Sequence, residues 1–447
     1  MARKEPIRAV KGMRDILPPE SALWNHIEEV ARQVFRSYAY QEIRTPLVEP
    51  TELFARGVGT DTDIVTKEMY TWEDWSRPRS KPADFSRASE MMTRGGAGQS
   101  LTLRPEATAS VIRAYIEHSL YNKPGLDRLF YIGPMFRRER PQKGRYRQFY
   151  QIGAEAIGQD SPLIDAEMIS MTVKLLDELK VTGSSLLLNS VGCKECRPTY
   201  LETLRKELAK VRNELCADCQ RRSETNPLRV LDCKVPADQP IIDRLPTIGN
   251  SLCATCQSHF SDLQQSLKVF GIDYVLQPRL VRGLDYYTRT TFEVVHGNLG
   301  AQNSLLGGGR YDGLSEELGG PPIPGVGFSI GEDRLALVVS QLDQLRRRPL
   351  LYIFWMGERF GPAYTHASVL AMELRNELPT VKFHHESVKP AKAAERASRL
   401  AEDYDVYVLV IGDQEVEREI YQLKAINQQI PAGPMTKNDL INFLRKK

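Results

Sequence analysis

Apolar side chains recur at three- and four-residue steps near the start of the chain, at Leu23, Ile27, Val30, Ala31, Val34, Phe35 and Tyr38. That repeat buries one face of a 3.6-residue turn and predicts an amphipathic helix. A short extended piece follows from Tyr40, and Pro46 closes it. Phe130 to Gly158 and Leu280 to Val295 are rich in aromatic and β-branched residues and predict strands. Between them, Val191 to Phe270 differs in composition and holds all seven cysteines, which marks an inserted helical module. Ser76 to Ser100 breaks the pattern: Arg77, Pro78, Arg79 and Pro82 open it, Gly95, Gly96 and Gly98 close it, and it reads as a mildly basic surface loop. The run Arg346, Arg347, Arg348, Pro349 reads as a linker. Beyond it, Leu350 to Met356 predicts a strand, Ala363 to Leu378 a helix and Val406 to Ile411 a buried strand, together a small α/β domain.

At 447 residues the chain has room for two to four domains, at ~100–200 residues each. No apolar run approaches the ~20 residues needed to cross a bilayer. Met1 to Lys11 alternates basic and small residues without an apolar stretch, so a cytoplasmic protein with reduced thiols is expected. The net charge of +3 excludes bulk electrostatic binding of nucleic acid but leaves room for a local basic site.

Such a site is written between Phe136 and Phe149. Six basic residues stand against one acid from Arg137 to Arg147, and Pro141 and Gly144 mark a turn between two strands. Strict alternation on the second strand would align Arg145, Arg147, Phe149, Gln151 and Glu155. A cationic, aromatic and polar face is a poor core and a good nucleotide platform, because arginine forks grip phosphates and a flat ring stacks on a base. The GxxxxGK[ST] phosphate loop does not occur, so arginines would have to hold any ATP. Three further clusters follow. Arg282-Gly283-Leu284-Asp285-Tyr286-Tyr287 reads as strand. Gly307-Gly308-Gly309 precedes Arg310 and Tyr311 and implies a close approach of backbone or ligand. In Gly325 to Leu335 a strand runs into an apolar helix, with Arg334 near its start. A cation there opposes the helix dipole unless an anion binds.

In this order the segments resemble the motifs of class II aminoacyl-tRNA synthetases, and within them the histidyl-tRNA synthetase family. The first helix and Pro46 resemble motif 1, the dimer interface; Thr102 to Thr108 resembles the TLRPE(G/A)T loop; Phe136 to Glu155 resembles motif 2. The Arg282 and Gly307 segments resemble the two histidine-specific motifs, and Gly325 to Leu335 resembles motif 3, with Glu332-Asp333 where the family has an apolar residue followed by Glu. The resemblance spans Ile7 to Leu342.

The resemblance implies an α+β fold: a mixed, mainly antiparallel sheet with helices in 1–190 and 273–345, a helical cysteine-containing insertion in 191–272, and an α/β anticodon-binding domain in 349–447. It implies a histidine–tRNA ligase that forms histidyl-adenylate from histidine and ATP, with Mg2+, and transfers histidine to its tRNA as a homodimer. Arg137 and Arg282 would be catalytic. Glu106, Ala107, Thr108, Gln151, Glu155, Tyr286, Tyr287 and Tyr311, with those two arginines, would bind histidine. Arg137, Glu139, Arg145, Phe149 and Arg334 would bind ATP. The alternative is an inactive, synthetase-like regulatory subunit of ATP phosphoribosyltransferase.

Cys193-x-x-Cys196, Cys216-x-x-Cys219 and Cys253-x-x-Cys256 have zinc-like spacing. A continuous helix between the first two pairs would hold them roughly 27 Å apart, so a helix break or pairing through Cys253 and Cys256 is required. Reduced thiols in a helical insert are the expectation, and a structural zinc is the alternative.

Overall fold

The computed structural model describes residues 6–59, 62–74, 99–123, 125–300, 303–339, 348–426, 430 and 433–446. The chain divides into two compact units, Met1–Ile16 with Trp24–Val339, and Leu17–Leu23 with Ser340–Lys447.

The larger unit is built on an eight-stranded sheet: β1 (Gln41–Glu42), β5 (Asp127–Phe136), β6 (Gln148–Ile157), β11 (Gly325–Gly331), β10 (Ser304–Arg310), β9 (Thr288–His296), β7 (Ser184–Ser190) and β8 (Val275–Leu276), in that spatial order. All pairings are antiparallel except β1 with β5 and β7 with β8. A smaller antiparallel sheet joins β2 (Val48–Pro50), β4 (Gln99–Leu103) and β3 (Tyr70–Asp74).

The helix Glu20–Ser37 covers one face of the large sheet with its apolar stripe, for Trp24, Ile27, Ala31, Val34 and Phe35 are buried. Phe35 lies 4.9 Å from the Phe130 ring and 6.2 Å from Phe328, so the predicted helix face meets the predicted strands. The helix Pro162–Glu178 begins with a Ser161 cap and Pro162 in its first turn, both favoured at a helix start. Arg310, fully buried at the end of β10, ties this helix to the sheet. Its Nε donates to Asp165 Oδ1 at 3.1 Å, its other nitrogens reach Asp165, Asp312 and two carbonyls, and the Thr290 hydroxyl donates to Asp165 Oδ2 at 2.6 Å.

The cysteine-bearing insert packs its own core from Tyr200, Leu204, Leu208, Val230, Ile242 and Leu245. In the second unit β12 (Arg348–Trp355) lies between β13 (Val381–Phe383) and β14 (Tyr404–Ile411), parallel to both, and β15 (Lys424–Ala425) runs antiparallel to β14. Leu351, Ile353 and Trp355 enter one core while Leu350, Tyr352 and Phe354 enter another, so both faces of β12 are buried, as in a parallel sheet.

Several expectations need correction. Leu280 to Tyr287 is a loop, and only Thr288 onward is strand. Arg229 donates to the Gly283 carbonyl and the Asp285 amide donates to the Val58 carbonyl, so this backbone is satisfied outside any ladder. Arg145 and Arg147 precede β6 in the hairpin loop. Arg348 and Pro349 pair with Tyr404 and Asp405 as the first residues of β12 rather than forming a linker; Arg346 and Arg347 lie outside the described residues. Gln99 and Ser100 belong to β4, and the rest of the expected loop, from Ser76, also lies outside them.

Asp165→Ala would leave the buried Arg310 without its main counter-ion. Breaking such a pair costs about 3–5 kcal/mol, measurable as a lowered urea midpoint with unchanged slope. Lys206→Ala, in the exposed pair Glu202–Lys206, should leave the midpoint where it is.

Candidate active site

Strand register decides which side chains share the site. Gln151, Gly153 and Glu155 of β6 stand opposite Gly331, Ser329 and Gly327 of β11, and Ser329 and Gly327 stand opposite Gly307 and Gly309 of β10. One face of the sheet is therefore paved with glycine, and larger side chains lie flat on it. A Cβ at Gly327 would fall 1.7 Å from Glu155 Oε2, one at Gly307 2.0 Å from the Arg282 guanidinium, and one at Gly309 2.8 Å from the Tyr287 ring. The three consecutive glycines mark close approach, as expected, and what approaches is Arg282, Phe292 and Tyr287.

Above this floor opens a cleft walled by Glu106, Arg137, Phe149, Gln151, Arg282 and Arg334, with Glu139, Arg145, Tyr286 and Tyr287 also on the wall. Thr108, Glu155 and Tyr311 are not on the wall. They form a buried triad in which the Thr108 hydroxyl donates to Glu155 Oε1 and the Tyr311 hydroxyl to Oε2, both at 2.7 Å. Among the described residues no cation pairs with Glu155. Burial pushes its carboxyl up to about 8, against the hydrogen bonds from Tyr311 and Thr108 that pull it down. Tyr286 packs 4.7 Å from Tyr287 and 5.9 Å from Tyr311, which makes one aromatic wall.

Glu106 accepts from the Thr108 and Ala109 amides at 2.8 and 2.9 Å, at the start of the helix Thr108–Glu117. Burial nevertheless raises its pKa above the usual carboxylate value. Ala107 is buried in the apolar cluster behind that helix start, not in the cleft. Gln151 donates weakly to the Ser329 hydroxyl at 3.4 Å, while its buried Oε1 has no hydrogen-bond partner among the described residues. An unpaired acceptor at a cleft wall suits a ligand N–H.

The cations gather at the other end. Arg137 donates to the Pro105 carbonyl at 2.9 Å and stacks over Phe149 at 5.2 Å, and Glu139 lies 2.9 Å from Arg145 and 3.8 Å from Arg137. Arg282 pairs with Glu293, the strand partner of Gly307, and Arg334 donates to the Ser304 carbonyl. Burial first, then neighbouring Arg145, lowers the Arg334 guanidinium from its ordinary value, so an anion between them would relieve both. Arg147 turns away from the cleft, towards the Lys11 and Glu139 carbonyls.

Tyr131, Ser329 and Glu293 were not anticipated. Tyr131 lies over Gly153. The alternating glycines of Gly325-Val326-Gly327 held the signal for a side chain crossing from β6.

A family model described as histidyl-tRNA synthetase matches residues 79–335, more than half of the chain. Histidine–tRNA ligase of Solibacter usitatus is 55% identical over 94% of this chain and 94% of its own length, and that of Koribacter versatilis 50% identical over 94% and 92%. The apo histidyl-tRNA synthetase of S. aureus superposes with a TM-score of 0.75 at 33% identity, covering 98% of this chain and 100% of that one. Arginine-lined cleft, glycine-paved sheet and relatives agree: the chain belongs to the histidyl-tRNA synthetase family and is a histidine–tRNA ligase.

Proposed function

We propose that ATP lies along the cationic end of the cleft and histidine along its aromatic end, with Arg282 where the two meet. Arg137 and Arg334 grip the phosphates, Phe149 stacks on adenine, and Arg145 serves the nucleotide and the tRNA acceptor end. Glu106 and Gln151 receive the substrate α-ammonium; the partnerless Gln151 Oε1 supports this. Thr108 acts through Glu155, since its hydroxyl is committed there. Magnesium would come with the nucleotide and offset phosphate charge. Glu139 on the cleft wall suits an ion that takes one or two carboxylates besides phosphates.

The histidine carboxylate then attacks the α-phosphate, releasing pyrophosphate, and a terminal ribose hydroxyl of tRNA attacks the acyl carbon, releasing AMP. Neither step requires a protein nucleophile; positioning and charge stabilisation carry both. The smaller α/β unit is assigned to the tRNA anticodon. A homodimer through the helix Glu20–Ser37 and the segment after it accords with the exposed Leu47 and Val48. A cytoplasmic setting accords with the absence, among the described residues, of any helix long and apolar enough to cross a membrane.

One observation carries the choice of amino acid: a buried carboxyl without a cation, held by hydroxyls beside an aromatic wall. An imidazole entering against Tyr286 and Tyr287 would share one proton with Glu155, leaving the buried pair without net charge. Amino acids lacking ring nitrogens would leave the proton of that carboxyl without an acceptor.

Histidine alone among the twenty amino acids should therefore drive ATP–pyrophosphate exchange. Its KM should be lowest between the free imidazole pKa of ~6.5 and the Glu155 value of about 8. Below that window free histidine carries a second proton that must be shed, and above it the shared proton is lost. Glu155→Gln should raise KM and abolish the alkaline rise while leaving ATP affinity unchanged; an unaltered alkaline limb would remove Glu155 from the imidazole site.

Arg282→Ala should slow adenylate formation by about 10²–10³-fold, the usual worth of a donor aimed at developing charge. Single-turnover quench-flow measures this, and a rate within threefold of the parent would reduce Arg282 to a partner of Glu293.

A further inference from the structure

We infer that the helical insert holds two tetrahedral, zinc-class cations: one on Cys193, Cys196, Cys253 and Cys256, the other on Cys216, Cys219, Cys233 and Asp238. In each quartet the four candidate ligand atoms all lie within 4.8 Å of one another. This is not the grouping that the spacing first suggests, since Cys193-x-x-Cys196 and Cys216-x-x-Cys219 belong to different quartets. The helix Arg197–Val211 separates those pairs, and the chain comes back to each from further along.

The distances discriminate between bonding types. In the first quartet Cys193 Sγ lies 3.7 Å from Cys196 and 3.8 Å from Cys253, and Cys196 Sγ lies 3.8 Å from Cys256. Disulfide sulfurs stand ~2.05 Å apart. A regular tetrahedron with Zn–S bonds of ~2.3 Å has edges of roughly 3.8 Å, which is the spacing observed. In the second quartet Cys216 and Cys233 are 3.9 Å apart, and Cys233 Sγ is 3.2 Å from an Asp238 oxygen, the shorter edge expected for a mixed sulfur–oxygen set. Asp238 and Cys219 are buried, where neither a lone carboxylate nor a lone thiolate is stable.

The surroundings are arranged for negative sulfur. Backbone amides of Cys193 and Glu195 donate to Cys196 and Cys193 Sγ at 3.2 and 3.4 Å, and that of Val235 to Cys233 Sγ at 3.4 Å. Gly192 has a φ of +67°, and a Cβ there would meet Cys196 Sγ at 2.8 Å, so the turn is shaped around that sulfur. Arg197, next to Cys196, supplies positive charge beside the tetrathiolate.

Each cation would also fasten a link to the catalytic loop. Arg197 donates to the carbonyls of Val191 at 3.2 Å and Gly192 at 3.3 Å, and to that of Tyr287. Arg229, in the turn between Cys219 and Cys233, holds the Gly283 carbonyl and lies 3.4 Å from Asp285. The quartets thus pin both sides of the segment that carries Arg282 and Tyr287.

The test is metal content of the full chain, purified without chelator and passed through gel filtration, then read by mass spectrometry. Two equivalents of zinc are expected. Exchange into cobalt should give intense thiolate-to-metal absorption and the visible bands of tetrahedral Co2+. The double variant Cys253→Ser with Cys256→Ser should retain one equivalent, and Cys233→Ser with Asp238→Asn the other. A parent chain without metal whose seven thiols all react freely with a chromogenic disulfide, or one that carries disulfides, overturns the inference even if the variants fail to fold. A double variant that keeps the parent's metal content overturns the quartet it disrupts.

Discussion

Everything at the cleft depends on five glycines placed along one face of four adjacent strands. Glu155, Arg282, Tyr287, Tyr131 and Arg104 all lie where a neighbouring Cβ would stand, over Gly327, Gly307, Gly309, Gly153 and Gly133. Each glycine costs a strand roughly 0.5–1 kcal/mol relative to alanine, so five on one face are a substantial penalty. What offsets it is reach. A strand side chain ordinarily stands away from its sheet, whereas here a carboxyl and a guanidinium lie against it, fixed from below. The opposite face has no such constraint and is packed conventionally, with Phe130 and Phe328 under Phe35.

The floor also separates two electrostatic environments. Arg137, Arg145 and Arg334 crowd one end, where their mutual repulsion favours a polyanion. Glu155 occupies the other, where burial alone would keep its proton on. Glu106 stands between them with both oxygens on helix amides, which keeps it oriented without neutralising it. On the proposed placement, a zwitterionic amino acid with a titratable ring would meet a carboxylate acceptor, an arginine and, behind the aromatic wall, a buried carboxyl. Discrimination then comes from polar groups left unsatisfied by the wrong side chain.

Much of this was legible in the sequence, and the failures have physical causes. The amphipathic repeat from Leu23 to Tyr38 and the basic hairpin survive because helix periodicity and turn residues act locally. Alternation along β6 held from Phe149 to Glu155 and stopped before Gln148, where the ladder starts: Arg145 still reaches the cleft wall from the hairpin loop, but Arg147 follows the Lys11–Gly12 backbone. The Arg282 segment looked like a strand from its side chains, yet its backbone partners are Arg229, Arg197 and Val58, which no local pattern encodes. Asp238 was invisible as a ligand because a single acid has no spacing signature. Cys233 was overlooked because it has no partner cysteine three residues away.

The loop that carries Arg282 and Tyr287 raises a last question of rigidity. Loops that deliver catalytic groups must hold them to fractions of an ångström, yet an irregular backbone lacks the ladder that stiffens a strand. Here the restraint comes from outside the sheet: two arginines of the insert grasp the loop carbonyls at Gly283 and Tyr287, and Gly307 and Gly309 receive its side chains. Those arginines are only as fixed as the turns that carry them. Arg197 follows directly on Cys196, and Arg229 lies between Cys219 and Cys233 beside Val230 of the insert's core, so each is held where a cysteine quartet meets that core. An insert that lies between two parts of the sheet in sequence thereby restrains the loop that carries Arg282 and Tyr287.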